Sequence, residues 1–360
     1  MTKKSNLNID FEYELLDENQ QDVDLREKLA LLYATNFVDI LWWELHDPSL
    51  SNQRYHKLFY YEQNVLKHII LFKYSFNAIK KIFVLNKRCK ISIKHIKNIS
   101  HILFKEFEKV QQIIFEEVFE LTTKQSAKMC FEITWHNDVI ISNLPKSMED
   151  YMKSLGKATR KQITKDMHRI ERDFPGYKVF FLKNEEILHE HIERLFSFHK
   201  DTMKNKGKTS FYTDLDRETL HDYVSKSGYG LLCACEIDGK MVSGQVSIII
   251  RDQAHGYINA HDESYNKYSI GQIAMINTIK YLIEQKNIQN YHLENGNLEY
   301  KFRYGGVSHN SHNILVFRNY NIYYFWGKIK SALKNFHRKL EMRYKIEYRL
   351  SVLLNKMKQI

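Results

Sequence analysis

The stretch that decides the fold is residues 254–306, AHGYINAHDESYNKYSIGQIAMINTIKYLIEQKNIQNYHLENGNLEYKFRYGG. It reads as strand, polar loop, helix, strand and a glycine-bounded basic-aromatic segment. Residues 255–259 are rich in β-formers and residues 262–268 in turn formers. Ser269, Ile270, Gly271, Gln272, Ile273 and Ala274 then lead into residues 275–285, where Ile276, Ile279, Leu282 and Ile283 share a helical face. Residues 291–293 read as the next strand. A strand that delivers a glycine-bearing turn to a helix start makes an anion site, because the first-turn amides point at the ligand and glycine lets the backbone approach closely. Pyrophosphate suits such a site, and coenzyme A carries one. The alternative reading of Gly271 is an ordinary turn glycine.

Upstream, residues 231–237 and 241–250 form a hairpin about Asp238-Gly239. Residues 186–204 read as a helix carrying Phe198-His199. Residues 148–174 are helical, capped by Ser147, broken at Gly156 and rich in Lys and Arg. Such a charge run is either a solvated face or a phosphate-binding surface. Pro145 marks a boundary, dividing the chain into residues 1–145, 146–318 and a tail, 319–360.

The first part reads as a helix over 25–37, a turn after 41–48, a hairpin of 55–62 and 65–74 about Gln63-Asn64, and an apolar piece at 82–85. A long amphipathic helix over 96–122 and a short hairpin of 130–135 and 138–142 follow. No glycine precedes Gly156, so a tight phosphate loop is not expected there.

The tail holds seven Lys and three Arg against two Glu, 10 − 2 = +8 of the chain's net +11. Ile329, Leu333, Phe336 and Leu340 recur at helical spacing behind Tyr323-Tyr324-Phe325-Trp326. Two readings stand: a helix lying on an anionic membrane, or one docked on its own protein or on the mate in a homodimer.

Bulk properties set the bounds. A chain of 360 residues, 43% hydrophobic, has material for two buried cores. Three prolines exclude a proline-rich linker. Cys233 and Cys235 fall on one face of a strand. With no His/Cys partner at zinc spacing they read as small buried apolar groups in a reducing compartment, and no metal is expected. The polar, then acidic start and the absence of any run of about 18 apolar residues place the expectation in the cytoplasm, or peripherally on an inner membrane face.

Several stretches occur in an order that resembles one family. Thr159-Arg160-Lys161-Gln162-Ile163 precedes Pro175-Gly176-Tyr177-Lys178-Val179. Then come Phe198-His199 with Gly207, and Asp238-Gly239-Lys240-Met241-Val242. Tyr268-Ser269-Ile270-Gly271 and Tyr300-Lys301-Phe302 with Gly305-Gly306 close the series. Over residues 146–317 the chain resembles the GNAT acyltransferase superfamily, in the branch shared by CelD-type polysaccharide-synthesis acetyltransferases and the FemAB aminoacyltransferases. The acyl-carrier loop departs from the usual pattern, since only Gly271 and Ala274 supply its small residues.

The resemblance implies an α/β (α+β) fold of tandem GNAT-like domains, with mixed central sheets flanked by helices, the first domain degenerate, and a basic helical tail. It implies transfer from acyl-CoA, or from an acyl carrier protein, to an amine on a small molecule such as an amino sugar or a polysaccharide precursor. The enzyme must position two substrates, accept the amine's proton and stabilise the carbonyl oxygen. Residues 269–274 and Arg160 are expected to hold the carrier, and His199, Asp262 and Lys301 to act in catalysis. His261, Glu294 and Tyr300 are expected to meet substrate, His261 and Glu294 also being candidates for the base. The alternatives are a FemAB-like transferase that takes its acyl group from charged tRNA for a peptidoglycan precursor, and a non-catalytic binding or membrane-recruitment module.

Overall fold

The computed structural model describes all residues except 1, 4–10, 17–22, 34–54, 76–79, 120–129, 211, 297, 320–323, 327, 330, 331, 334, 335 and 337–360. The turn expected after 41–48 and the tail beyond residue 336 lie outside the described residues. The chain forms two compact units. One comprises Met1–Glu18, Arg54–Asn137 and Asn310–Ile360; the other comprises Asn19–Gln53 and Asp138–His309.

In the first unit β1 (Thr2–Lys3), β2 (Phe11–Leu16), β3 (Tyr55–Glu62), β4 (Val65–Ser75) and β5 (Lys81–Val84) run antiparallel in that order. The β3–β4 turn falls at Gln63 and Asn64, as expected. Both have positive φ, 50° and 60°, and that left-handed pair matches the twist of the flanking strands. β5 then pairs in parallel with β6 (Gln112–Phe119), the helix Ile93–Glu106 making the crossover.

The sequence reading of one helix over 96–122 is therefore corrected. The helix ends at Phe107, and Ile113, Val118 and their neighbours belong to a buried strand. Short apolar runs do not separate the two periodicities. Arg318 fixes the helix end by donating to the carbonyls of Phe104, Phe107 and Val110 at 2.6–2.8 Å. The expected hairpin at 130–142 is also corrected: Cys130–Asn143 is one strand. His136-Asn137 lacks the glycine that two-residue turns favour.

In the second unit β7 (Cys130–Asn143, from Asp138 on), β12 (Asn290–Asn295), β11 (Gln253–His261), β10 (Lys240–Ile250), β9 (Gly230–Ile237) and β8 (Lys178–Lys183) lie side by side in that order. All neighbours are antiparallel except β11 and β12. The β9–β10 turn is at Asp238 (φ 50°) and Gly239 (φ 77°). Ser147 caps the helix Met148–Ser154 by accepting from the Asp150 amide, and Gly156 separates it from Lys157–Asp173, as read from the sequence.

The helix Ile270–Glu284 crosses from β11 to β12. Ten of its residues are buried, so it is apolar on nearly every side, as a helix inside a core must be. Its side chains feed two apolar clusters, one around Tyr291 and Leu282, the other around Ile270 and Tyr268. Cys233 and Cys235 are fully buried on β9.

The two units share a strand plan that no sequence repeat discloses: an antiparallel run, then a parallel pair joined by one helix, then an antiparallel strand. They differ at the parallel pair. In the first unit β5 stays paired over its whole length, and a Lys90–Phe119 bridge continues the contact. The ion pair Arg88 Nε–Glu117 Oε2 (3.0 Å) is buried beside it. Removing one partner leaves a buried charge, so Arg88→Met is expected to cost about 3–5 kcal/mol of stability, measured by urea unfolding.

The first unit also holds a chain of polar contacts. His68 Nε2 meets His95 Nδ1 at 2.7 Å, and His95 Nε2 lies 3.4 Å from Glu62, which Lys94 and the Tyr60 hydroxyl also contact. Burial, and then the neighbouring His95, depress the His68 imidazole to about 4. Between that value and the free imidazole's 6.5 the unfolded chain binds a proton that the folded chain refuses. Stability is therefore full above pH 6.5 and falls toward pH 4, by roughly 3 kcal/mol. In His68→Gln that decline should flatten, as urea midpoints across this range would register.

Candidate active site

β11 and β12 are bonded at Gln253↔Asn290, Ala254↔Tyr291 and His255↔His292, and among the described residues their register ends there. Beyond it the parallel strands part, and a cavity of about 530 Å³ opens between them. β11 contributes Tyr257, Asn259 and His261, and β12 contributes Leu293 and Glu294. Gly271 and Gln272 come from the start of the crossover helix, and His199 and Lys206 from the helix His189–Asn205 and its end. Tyr300 and Lys301 come from the short helix Glu299–Arg303.

Gly271 has a steric reason to be glycine. A Cβ there would lie 2.7 Å from His261 Nδ1 and 3.0 Å from Asn259 Oδ1. Asn259 donates to the Gly271 carbonyl (2.9 Å) and to Gln245 Oε1 (2.8 Å), tying the helix start to β11 and β10. Ser269, at φ 55°, turns the chain from the short 3-10 helix Glu263–Tyr268 into the crossover helix.

Of the seven residues expected to hold the carrier, only Gly271 and Gln272 line the cavity. Ile270, Ile273 and Ala274 are buried in the apolar core. The Gln272 and Ile273 amides are bonded back to the Ser269 carbonyl at 2.9 and 3.1 Å. The loop thus shapes a wall more than it offers a row of unused donors.

Lys301 is 4% exposed, not the surface lysine that a Tyr-rich segment admits. Its Nζ donates to the Glu294 carbonyl at 3.0 Å. Glu294 sits at φ 62°, a left-handed conformation that costs a non-glycine residue about 1 kcal/mol or more. The lysine bond holds it there. The glycines that bound the segment have a backbone role too: Gly296 and Gly305 take φ 96° and 82°.

The Glu294 carboxylate lies 3.6 Å from His255 Nδ1. His255 is buried and stacks on His292, with ring centroids 4.1 Å apart and 20° between planes, and His292 Nε2 meets Gln253 Oε1 at 2.9 Å. On the opposite wall His199 Nδ1 meets Ser210 Oγ at 3.1 Å, with its ring edge-on to Tyr212. Burial, and secondarily Lys206, lower the His199 pKa, which favours neutral imidazole. Burial pushes the Tyr212 phenol up to about 12, with Asp216 and Glu294 adding to the effect, and burial likewise raises Tyr257 and Tyr300. These tyrosines remain protonated donors.

The structure thus brings together His199, His261, Gly271, Gln272, Glu294, Tyr300 and Lys301. Besides Ser269, Ile270, Ile273 and Ala274, it leaves Asp262 and Arg160 out. Asp262 accepts from the Ser264 amide and hydroxyl and caps the 3-10 helix, facing a separate surface pocket. Arg160 donates to the carbonyls of Lys153 and Leu155, clasping the end of the preceding helix. Sequence reasoning missed His255 and His292, which nothing but the β11–β12 register brings together.

The arrangement fits a thioester carrier. Strand edges that face each other without pairing suit an extended, amide-bearing arm, and Lys206 and Lys301 supply positive charge at the rim and the floor. No cluster that could hold a metal occurs among the described residues.

A search of curated protein sequences finds no match. Among solved structures, FemX aligns with a TM-score of 0.58 at 10% identity, over 87% of this chain and 100% of that one. A conserved protein of unknown function from Bacteroides thetaiotaomicron VPI-5482 gives 0.56 at 12%, over 85% and 100%. L-PGS from Bacillus licheniformis gives 0.51 at 12%, over 87% and 96%. At such identities the likeness is one of fold. The segment that carries the parted strands is also the one that matches a family by sequence: residues 157–302 fit the model described as acetyltransferase (GNAT) domain.

Proposed function

We propose that this chain is an N-acyltransferase that moves an acyl group from acyl-CoA to an amine, with residues 146–318 carrying the transfer. The first 145 residues would then be a GNAT-like unit whose own cleft is closed. The observation that carries this reading is the cavity between β11 and β12, inside the segment matched by the acetyltransferase model. An amino sugar or polysaccharide precursor, as in the CelD-type branch, is the acceptor class in keeping with the resemblance.

When bound, acyl-CoA supplies a thioester carbonyl whose C–S bond breaks as the C–N bond forms. Glu294 takes the proton that the attacking amine loses, and His255 holds the carboxylate in place. The Lys301 ammonium stabilises negative charge on the carbonyl oxygen. Neutral His199 accepts a hydrogen bond from the acceptor, and the protonated tyrosines donate to it. The leaving thiolate recovers a proton, so the balance closes without oxidant or metal.

A second reading has one observation of its own. Lys157, Lys161, Lys165 and Arg172 stand exposed along one helix, a stripe suited to a polyanion such as the charged tRNA of a FemAB-like transferase.

The test is release of free thiol from acetyl-CoA in the presence of a panel of amines and amino sugars. Amine-dependent release is expected, reduced about a hundredfold in Lys301→Met. No release with any amine, together with salt-sensitive tRNA binding, would favour the second reading.

A further inference from the structure

The end of the described chain carries an exposed apolar face. Residues 324–326, 328, 329, 332, 333 and 336 have helical backbone. Phe325, Trp326, Ile329, Leu333 and Phe336 are 49–63% exposed. A large side chain left in water at every turn of a helix is costly and marks an interaction surface. The helix starts from a fixed point: the Tyr324 ring packs edge-on against the buried Phe317, centroids 5.6 Å apart at 85°.

The spacing is that of a narrow stripe. At 100° per residue these five positions and Ala332 span an arc of about 120°. Residues 324–340 include four Lys and one Arg and no Asp or Glu. Lys328 lies beside the arc, and Lys330, Lys334, Arg338 and Lys339 follow it in the sequence. Lysines in flanking positions can rest their stems on apolar surface while the ammonium reaches an outer polar layer.

We infer that this face is a docking surface for an anionic lipid bilayer, its aromatic and aliphatic stripe entering the headgroup boundary and its lysines meeting lipid phosphates. The charge distribution selects this occupant. A second copy seated on the same face would bring together two tails that each hold ten Lys and Arg against two Glu. An anionic bilayer meets both halves at once. The inference does not depend on what the cavity binds. No helix among the described residues is long and apolar enough to cross a membrane, so attachment would be to one leaflet.

The test is flotation of the full chain with vesicles of phosphatidylcholine and phosphatidylglycerol, against vesicles of phosphatidylcholine alone. Partitioning onto the anionic vesicles is expected, weakening as salt rises. The double variant Lys328→Gln, Lys330→Gln should lower it about thirtyfold. The double variant Leu333→Ser, Phe336→Ser should lower it about a hundredfold. Lys328, Leu333 and Phe336 are exposed, so circular dichroism should show both variants folded. Equal partitioning onto neutral vesicles, or anionic binding indifferent to the Leu333 and Phe336 substitutions, would overturn the inference. So would self-association in sedimentation that those substitutions abolish while no vesicle is bound.

Discussion

Gly271→Val abolishes coenzyme A binding while the chain stays folded; that is the expected result, and the local packing dictates it. The first added carbon alone falls 2.7 Å from His261 Nδ1 and 3.0 Å from Asn259 Oδ1. The valine methyls extend further into both. His261 can swing toward solvent, giving up its bond to Asn266. Asn259 cannot move without breaking its links to Gln245 and to the Gly271 carbonyl. The wall of the cavity and the start of the crossover helix shift together. Overpacking of this kind costs about 1–3 kcal/mol of stability, within what a two-unit chain survives, and affinity should fall by about a hundredfold or more as the carrier's path is filled. Gly271→Ala should show the same direction with a smaller loss. Circular dichroism and a urea melt separate loss of binding from loss of fold.

Glu294→Gln should reduce turnover by about a thousandfold with little change in KM. The amide keeps the carboxylate's shape and removes its capacity to take a proton. The acidic limb of the pH–rate profile, where the base becomes protonated, should vanish with it. His255→Phe is the companion variant. It keeps a ring stacked on His292 and deletes the contact with Glu294. A positioning role predicts a drop of about tenfold and a displaced acidic limb rather than a missing one. If both variants turn over normally, the proton acceptor lies elsewhere, and His199 across the cavity becomes the base to test.

Local spacing made the strand, loop, helix and strand of residues 254–306 legible in the sequence, because β-formers, turn residues and helical periodicity follow one another without overlap there. The same logic failed at 96–122, where buried β6 carries enough isoleucine and valine to continue the helical count. The site was legible in part. His199, Glu294 and Lys301 stand near the ends of readable elements and reach the cavity. Asp262 and Arg160 looked equally apt, yet each satisfies backbone groups beside it, the common fate of such side chains at turns and helix ends. His255 and His292 lie on separate strands, and their stack exists only in the paired register. The shared plan of the two units was hidden for a related reason. A strand plan can repeat while its side chains do not, and the first unit, with no glycine before residue 310, buries Arg88 and Glu117 beside its parallel pair, where the second stands open.

The central claim is that the gap between β11 and β12 receives a thioester carrier. Calorimetric titration of the purified chain and of Gly271→Val with coenzyme A and acetyl-CoA, at low and moderate salt, tests it most directly. The account predicts saturable binding with a dissociation constant on the order of micromolar, lost in the variant. Absence of binding at either salt, or equal affinity in Gly271→Val, would contradict it.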